Sequence, residues 1–319
     1  MIPYSECSVN FSIINACSCK CWFCGCVGNH QPASKATRLT LEDIQRTFRA
    51  TPPGEKLREI FLSGAGESVM NPECVEIAAF LKGQTEHLIL FSNGVLLTPE
   101  ISEKLIAAGV DEIRVSITGV TPEVWRRNQG CGFGEKADEI LPRVLNNIKA
   151  MCENRDRINP KCVTGTNYML REDNEDHLLL YLQTMKDLGV SNVQVQPYVN
   201  GSCEEDNPPK RYLVERIARR MLKGLPLCAG IGDNMQTDIQ KHPGEILACC
   251  SNYSPSISLG NILEQPIYEI LTGEKFRTLC DALGGGKSEI PQTCLDCLYR
   301  RPHLSAHLSN RDGEEKTNE

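Results

Sequence analysis

At 319 residues, 40% of them hydrophobic and 24% charged, the chain has the composition of a globular protein able to bury one large core or two modest ones. No apolar run is long enough to cross a bilayer, and a formal charge of -7 excludes the basic face that a nucleic-acid groove needs. The start, MIPYSECSVNFSII, lacks the basic and apolar parts of a secretory signal, so we expect a cytoplasmic protein whose 17 cysteines serve metal or thiol chemistry rather than disulfides.

In chain order, β-rich segments alternate with helical patterns up to about residue 200, the signature of repeated β-α units on a parallel sheet. Apolar and β-branched enrichment predicts strands at 10–14, 58–63, 87–92, 112–117, 163–169 and 192–197. Helix starts are expected at Asn71-Pro72, Thr98-Pro99 and Thr121-Pro122, where a capping side chain precedes a proline whose missing N–H is harmless at the first helical position. Leu41, Ile44 and Phe48 make one helical stripe. Leu178, Leu182, Met185 and Leu188 make another, stopped by Gly189. The polar stretch GSCEEDNPP then reads as a linker, one helix is expected near 210–222, and the remainder is turn-rich and punctuated by cysteine. The expected division is 1–205, then a smaller unit at 206–305, then a polar tail at 306–319 expected to be disordered.

The first strand leads into NACSCKCWFCGCVG, which sets Cys17, Cys21 and Cys24 in a C-x3-C-x2-C spacing. Thiolates suit iron-sulfur clusters, and three of them leave one iron of a four-iron cube open to a small ligand. Cys19 and Cys26 supply further thiols, so the loop by itself also admits a structural zinc.

With the aromatic pair Trp22-Phe23 before its third cysteine, this loop resembles that of the radical S-adenosylmethionine (radical SAM) superfamily. Ser63-Gly64-Ala65-Gly66-Glu67-Ser68 is similar to the family's glycine-glycine-glutamate segment, with Ser68 where a proline is usual. The resemblance implies that Gly64, Gly66 and Glu67 receive the methionyl amino group, and the chemistry agrees: glycine lets backbone approach a ligand and a carboxylate accepts from an ammonium. Ser92-Asn93-Gly94 and Val115-Ser116-Ile117-Thr118-Gly119 also match segments at strand ends, with Thr118 replacing a frequent aspartate. Ser116 and Asn167 are implied contacts of the nucleoside. The implied fold is α/β, a partial (β/α)6 barrel with ligands at the carboxyl ends of its strands and a small C-terminal iron-sulfur domain.

That second domain rests on Cys228, Cys249-Cys250 and the pair Cys294 and Cys297, an order that resembles the auxiliary-cluster extension called twitch or SPASM. The resemblance implies a second [4Fe-4S] cluster on Cys228, Cys250, Cys294 and Cys297. Successive side chains of an extended segment point to opposite faces, so Cys249 is expected to be free to return a hydrogen atom to a substrate radical. The expected reaction is that of a radical SAM epimerase (an isomerase consuming S-adenosylmethionine) in aminoglycoside antibiotic biosynthesis, of the neomycin C to neomycin B type. That choice uses the free thiol, the lack of an added peptide-recognition domain and the acidic balance. The implied partners are a cationic aminosugar and an external electron donor such as a flavodoxin or ferredoxin. Glu204, Glu205, Asp206 and Asp233 are candidates for ammonium recognition. An aminocyclitol dehydrogenase and a peptide-epimerising or peptide-crosslinking enzyme are the alternatives.

Overall fold

A computed structural model describes residues 2–24, 30–171, 174–197, 235–238, 242–248, 257–284 and 286–294. Six parallel strands follow one another as expected: β1 (Ser8–Phe11), β2 (Leu57–Leu62), β3 (Thr85–Ser92), β4 (Glu112–Ser116), β5 (Val163–Leu170) and β6 (Asn192–Pro197). Each lies beside its predecessor, which makes an open partial barrel of the α/β class. The convex side of the sheet is apolar: Val9, Phe11, Ile60, Leu62, Leu88, Leu90, Ile113 and Val115 are buried there. On the other face, residues two apart such as Phe61 and Ser63, or Asn167 and Met169, face the concave side.

The helices that cover the convex side start where their sequences say. Thr40 and Asp43 close a capping box on α1 (Leu41–Thr47). Thr98 and Thr121 cap α3 (Pro99–Ala107) and α4 (Pro122–Asn128), each with proline at the first turn. The stripe ending at Met185 belongs to α6 (Leu178–Asp187), and Gly189 follows it at φ 81°. Asn71 departs from expectation. It precedes α2 (Cys74–Lys82), but Glu73 holds the cap position, and the Asn71 amide donates to the carbonyls of Ile13 at 3.0 Å and Leu39 at 2.9 Å. It ties two loops together, while its Oδ1 accepts from the Glu73 N–H at 3.0 Å in the turn that leads into α2. The first strand also ends earlier than expected, because Ile13 and Ile14 turn inward as buried loop residues.

The helix α5 (Ala137–Ile158), the longest described helix, was not among the expected elements. It packs against α3 and α4 and buries Leu141, Val144, Ile148, Met151 and Cys152. Beyond residue 200, the short strands β7 (Met235–Asp238), β8 (Glu245–Leu247) and β9 (Ser258–Asn261) continue the same sheet. β7 adds to the free edge of β1 in parallel register, and β8 and β9 follow antiparallel. The helices Ile267–Thr272 and Glu274–Gly284 close this end. The expected helix near 210–222, the boundary at 205/206 and the tail at 306–319 lie outside the described residues.

Candidate active site

The carboxyl ends of the six parallel strands surround a cavity of about 490 Å³. Its wall contains Cys17, Cys21 and Cys24, together with Gly64, Gly66, Glu67, Ser116 and Asn167. Every residue expected at the first cluster and its ligand is therefore on one surface. The loop that carries the cysteines leaves β1 and is pinned from β2. Gly66 lies so close to it that a Cβ would press on the carbonyl oxygens of Ile14 and Ala16, while the Glu67 N–H donates to Ala16 at 2.8 Å. Gly64, at φ 120°, has no room for a Cβ beside the Ser12 hydroxyl. Gly66 thus fits against backbone and Gly64 against a side chain of the protein, where the sequence suggested only an approach to ligand.

Cys17, Cys21 and Cys24 are half-buried, whereas Cys19 is 1% exposed. Burial pushes the Cys17 thiol up to about 12; Cys19 is raised further, first by its hydrogen bond with Cys21 and then by burial. Among the described residues, no three His, Cys, Asp or Glu side chains converge closely enough to hold a single metal ion. A cube takes one thiolate per iron, so its ligands need only surround a space. Three thiols around one cavity fit that arrangement better than a tetrahedral zinc site, which needs four donors at one point.

Among the described residues Glu67 is the one carboxylate on this wall, and it is 3% exposed. Its oxygens accept from the N–H groups of Asn93 at 2.7 Å and Val69 at 3.4 Å. Among the described residues no cation pairs with it, and burial raises its pKa to about 7. A buried acid in that state is suited to an incoming ammonium. Two other wall atoms, Nδ1 of His30 and Oγ1 of Thr118, are buried without a hydrogen-bond partner, a further sign that the wall is shaped for a ligand.

Several residues that the sequence reading passed over assemble this surface. Gln129, 2% exposed, donates to the Ser116 carbonyl at 2.8 Å and accepts from the Thr118 N–H at 3.2 Å, which fixes the end of β4. Its own carbonyl accepts from the Cys21 thiol at 3.8 Å. Arg114 donates to the Asn167 Oδ1 at 3.2 Å and to the Gln194 Oε1 at 2.6 Å, and is ion-paired with Glu112. The Asn167 carbonyl is thereby occupied, leaving its NH2 as the free end. Nothing in a one-dimensional pattern marks these contacts, since apart from the Arg114–Glu112 pair they join positions 11 to 108 residues apart.

The model of the radical SAM superfamily matches residues 11–190. The chain belongs to that superfamily. A second model, an iron-sulfur cluster-binding domain of the SPASM type, matches residues 238–298. The bound groups follow: a [4Fe-4S] cluster with S-adenosylmethionine in the barrel, and an auxiliary iron-sulfur cluster in the SPASM region. The SPASM match spans Cys249, Cys250, Cys294 and Cys297 and starts after Cys228. Of these five, only Cys294, half-buried in the helical residues 292–294, is among the described residues.

Similar proteins include a probable GTP 3',8-cyclase of Thermococcus kodakarensis, 32% identical over 148 residues, which cover 44% of this chain and 46% of that one. The mycofactocin maturase MftC of Mycobacterium tuberculosis is 24% identical over 144 residues, 44% of this chain and 34% of that one. The chain thus spans less than half the length of these curated relatives. Among solved structures, anSMEcpe with bound AdoMet superposes with a TM-score of 0.60 at 14% identity, over 86% of this chain and 83% of that one. SuiB of Streptococcus suis bound to the precursor peptide SuiA gives 0.63 at 13% identity, over 92% and 70%. These likenesses show the radical SAM fold. Among the described residues no helix is long and apolar enough to cross a membrane.

Proposed function

We propose that this radical SAM enzyme is an epimerase of an aminoglycoside antibiotic, of the neomycin C to neomycin B type. The observation that carries the reading is the chemistry of the cavity wall. Asn10, Ser63 and Gln196 add two uncharged amides and a hydroxyl to the wall that carries the paired rings of Phe61 and Phe91, whose centroids are 6.3 Å apart. A sugar has the matching surface, a rim of hydroxyls around apolar C–H faces.

When bound, the cluster and S-adenosylmethionine supply a carbon radical able to take hydrogen from an unactivated C–H bond. In this reading Cys17, Cys21 and Cys24 hold the cluster, and Gly64, Gly66 and Glu67 receive the methionyl ammonium. Ser116 and Asn167 orient the nucleoside. The wall residues hold one sugar C–H toward that radical and keep water out. Cys249 then gives its thiol hydrogen to the substrate carbon from the opposite face, so the carbon is inverted and the sulfur is left one electron short. An electron from the external donor, with a proton, restores the thiol. Cys228, Cys250, Cys294 and Cys297 hold the auxiliary cluster, and Glu204, Glu205, Asp206 and Asp233 meet the substrate's ammonium groups. Of all these, Cys228, Cys249, Cys250, Cys297 and the four acids lie outside the described residues.

Cys249→Ala tests the reading. The variant is expected to form 5′-deoxyadenosine without inverted product, and the parent in D2O to place one deuterium at the inverted carbon. Full turnover by the variant would overturn the role of Cys249. An oxidised product from an aminocyclitol, or modification of a peptide, would replace the epimerase reading itself.

A further inference from the structure

The turn after β3 joins the two halves of the site. Asn93 is 8% exposed, and three neighbours hold its turn. Gly94 adopts φ 79° against Val115 and Val144, its N–H donates to Ser92 Oγ at 3.0 Å, and its carbonyl accepts from Asn147 at 2.8 Å. The Asn93 Oδ1 accepts from the Val95 N–H at 3.0 Å, the local closure favoured by asparagine in turns. That bond decides which end of the amide faces the cysteine loop. The NH2 end donates to Cys17 Sγ at 3.6 Å and to Ser18 Oγ at 2.9 Å, and the Ser18 hydroxyl also lies 3.3 Å from the Oδ1, so it is the NH2 that meets the sulfur. Reversing the amide would set its NH2 against the Val95 N–H, donor against donor. Meanwhile the backbone N–H of Asn93 serves the other half of the site, donating to Glu67 Oε2 at 2.7 Å.

We infer that Asn93 tunes the cluster: its side-chain hydrogen bond to the Cys17 sulfur stabilises the reduced state and sets the potential at which the cluster accepts its electron. The inference rests on Cys17 being a ligand of that cluster. A thiolate bound to iron carries more negative charge after reduction, so an N–H aimed at the sulfur favours the reduced form, and hydrogen bonds to the sulfurs are among the factors that set cluster potentials. Burial of Asn93, Ser92 and Glu67 removes competing water and strengthens the effect.

The division of labour within one residue makes the inference testable. Asn93→Ala removes the donor to sulfur and leaves the backbone N–H that holds Glu67. Its reduced-cluster EPR signal, titrated against solution potential, is expected to have a midpoint more negative than the parent's, while S-adenosylmethionine affinity stays within about twofold. Asn93→Asp keeps the acceptor for Val95, and with it the turn, but replaces the donor by charge; its midpoint is expected to shift further in the same direction, and it decides the matter if the alanine variant does not fold. Parent-like midpoints in the variants overturn the inference, as does a loss of cofactor affinity with an unmoved midpoint. The ligand assignment is judged separately: Cys17→Ala is expected to lose the barrel cluster's iron, and retention of that iron would overturn the assignment itself.

Discussion

Replacing Glu67 by Gln should make the cofactor-free protein more stable at alkaline pH while removing its grip on S-adenosylmethionine. Burial lifts the carboxyl from 4.5 to about 7. At 1.36 kcal/mol per pH unit, ionising Glu67 inside the fold therefore costs about 3 kcal/mol relative to the unfolded chain. The sign follows from proton counts. Between pH 4.5 and about 7 the folded chain holds a proton that the unfolded chain has lost, so stability falls as pH rises through that window and levels off above it. Glutamine cannot ionise. Its Oε1 can keep the 2.7 Å bond from Asn93, and its NH2 then meets the longer, 3.4 Å contact from Val69, which returns about 1 kcal/mol of the gain. Denaturant unfolding of the apo protein at pH 5 and pH 8.5 reads the difference: roughly 2 kcal/mol in favour of Glu67→Gln at the higher pH, and little at the lower. Calorimetric titration with S-adenosylmethionine should show parent affinity improving up to about pH 7 and the variant binding weakly throughout. A parent whose stability is flat across this range, or a variant destabilised at pH 8.5, would refute the argument.

Gly66→Ala should displace the cysteine loop, since the new methyl meets the carbonyls of Ile14 and Ala16; iron bound per chain should fall to that of the auxiliary cluster alone. Cys294→Ala should do the reverse, leaving the barrel cluster and its EPR signal while the auxiliary cluster's iron is lost. Thr118→Val removes a buried hydroxyl that has no partner, so apo stability should hold or rise by about 1 kcal/mol, as read by the denaturation midpoint. Gln129→Ala should lower stability by about 1–2 kcal/mol and weaken cofactor binding, because the end of β4 loses both the donor and the acceptor that fix it.

The strands were legible because each is short, apolar and β-branched, and each is fixed by burial rather than by any partner the sequence must name. The helix starts at Thr98 and Thr121 were legible for the same local reason: the cap and proline act within one turn. Asn71-Pro72 is a related pair that does two jobs at once. Its Oδ1 accepts locally from the Glu73 N–H at 3.0 Å, while its NH2 is claimed by carbonyls of Ile13 and Leu39, 58 and 32 residues away, a use that no local pattern announces. The helix α5 was missed although Leu141, Val144, Ile148 and Met151 make a regular stripe, because Pro142 and the pair Asn146-Asn147 interrupt it on paper. In the fold Pro142 falls early in the helix and Asn147 is spent on Gly94. β7 was beyond reach: the sequence MQTD has no strand signature, and only the open edge of β1 makes it one.

The site divides along the same line. Residues that touch iron or cofactor are recognisable because chemistry restricts the choice: few side chains ligate iron, and few accept from an ammonium in a buried place. Residues that hold those groups are chosen by geometry, and many side chains could serve. Gln129 and Arg114 each act through a bond to one particular neighbour, and nothing in their spacing marks them, while the segment Ser92-Asn93-Gly94 was recognisable but the bond that Asn93 makes was not. This also explains why the superfamily and its bound groups were easier to read than the substrate. The radical-forming apparatus is set by cofactor chemistry common to the superfamily, whereas the cavity wall of Asn10, Phe61, Phe91 and Gln196 is a shape. A shape is specified by four strands at once. Exchanging Phe61 for Ala should therefore leave cofactor cleavage without substrate intact while raising the KM for the aminoglycoside about tenfold or more, the loss of one well-packed aromatic contact. An equal loss in both measurements would place Phe61 with the cofactor rather than the sugar.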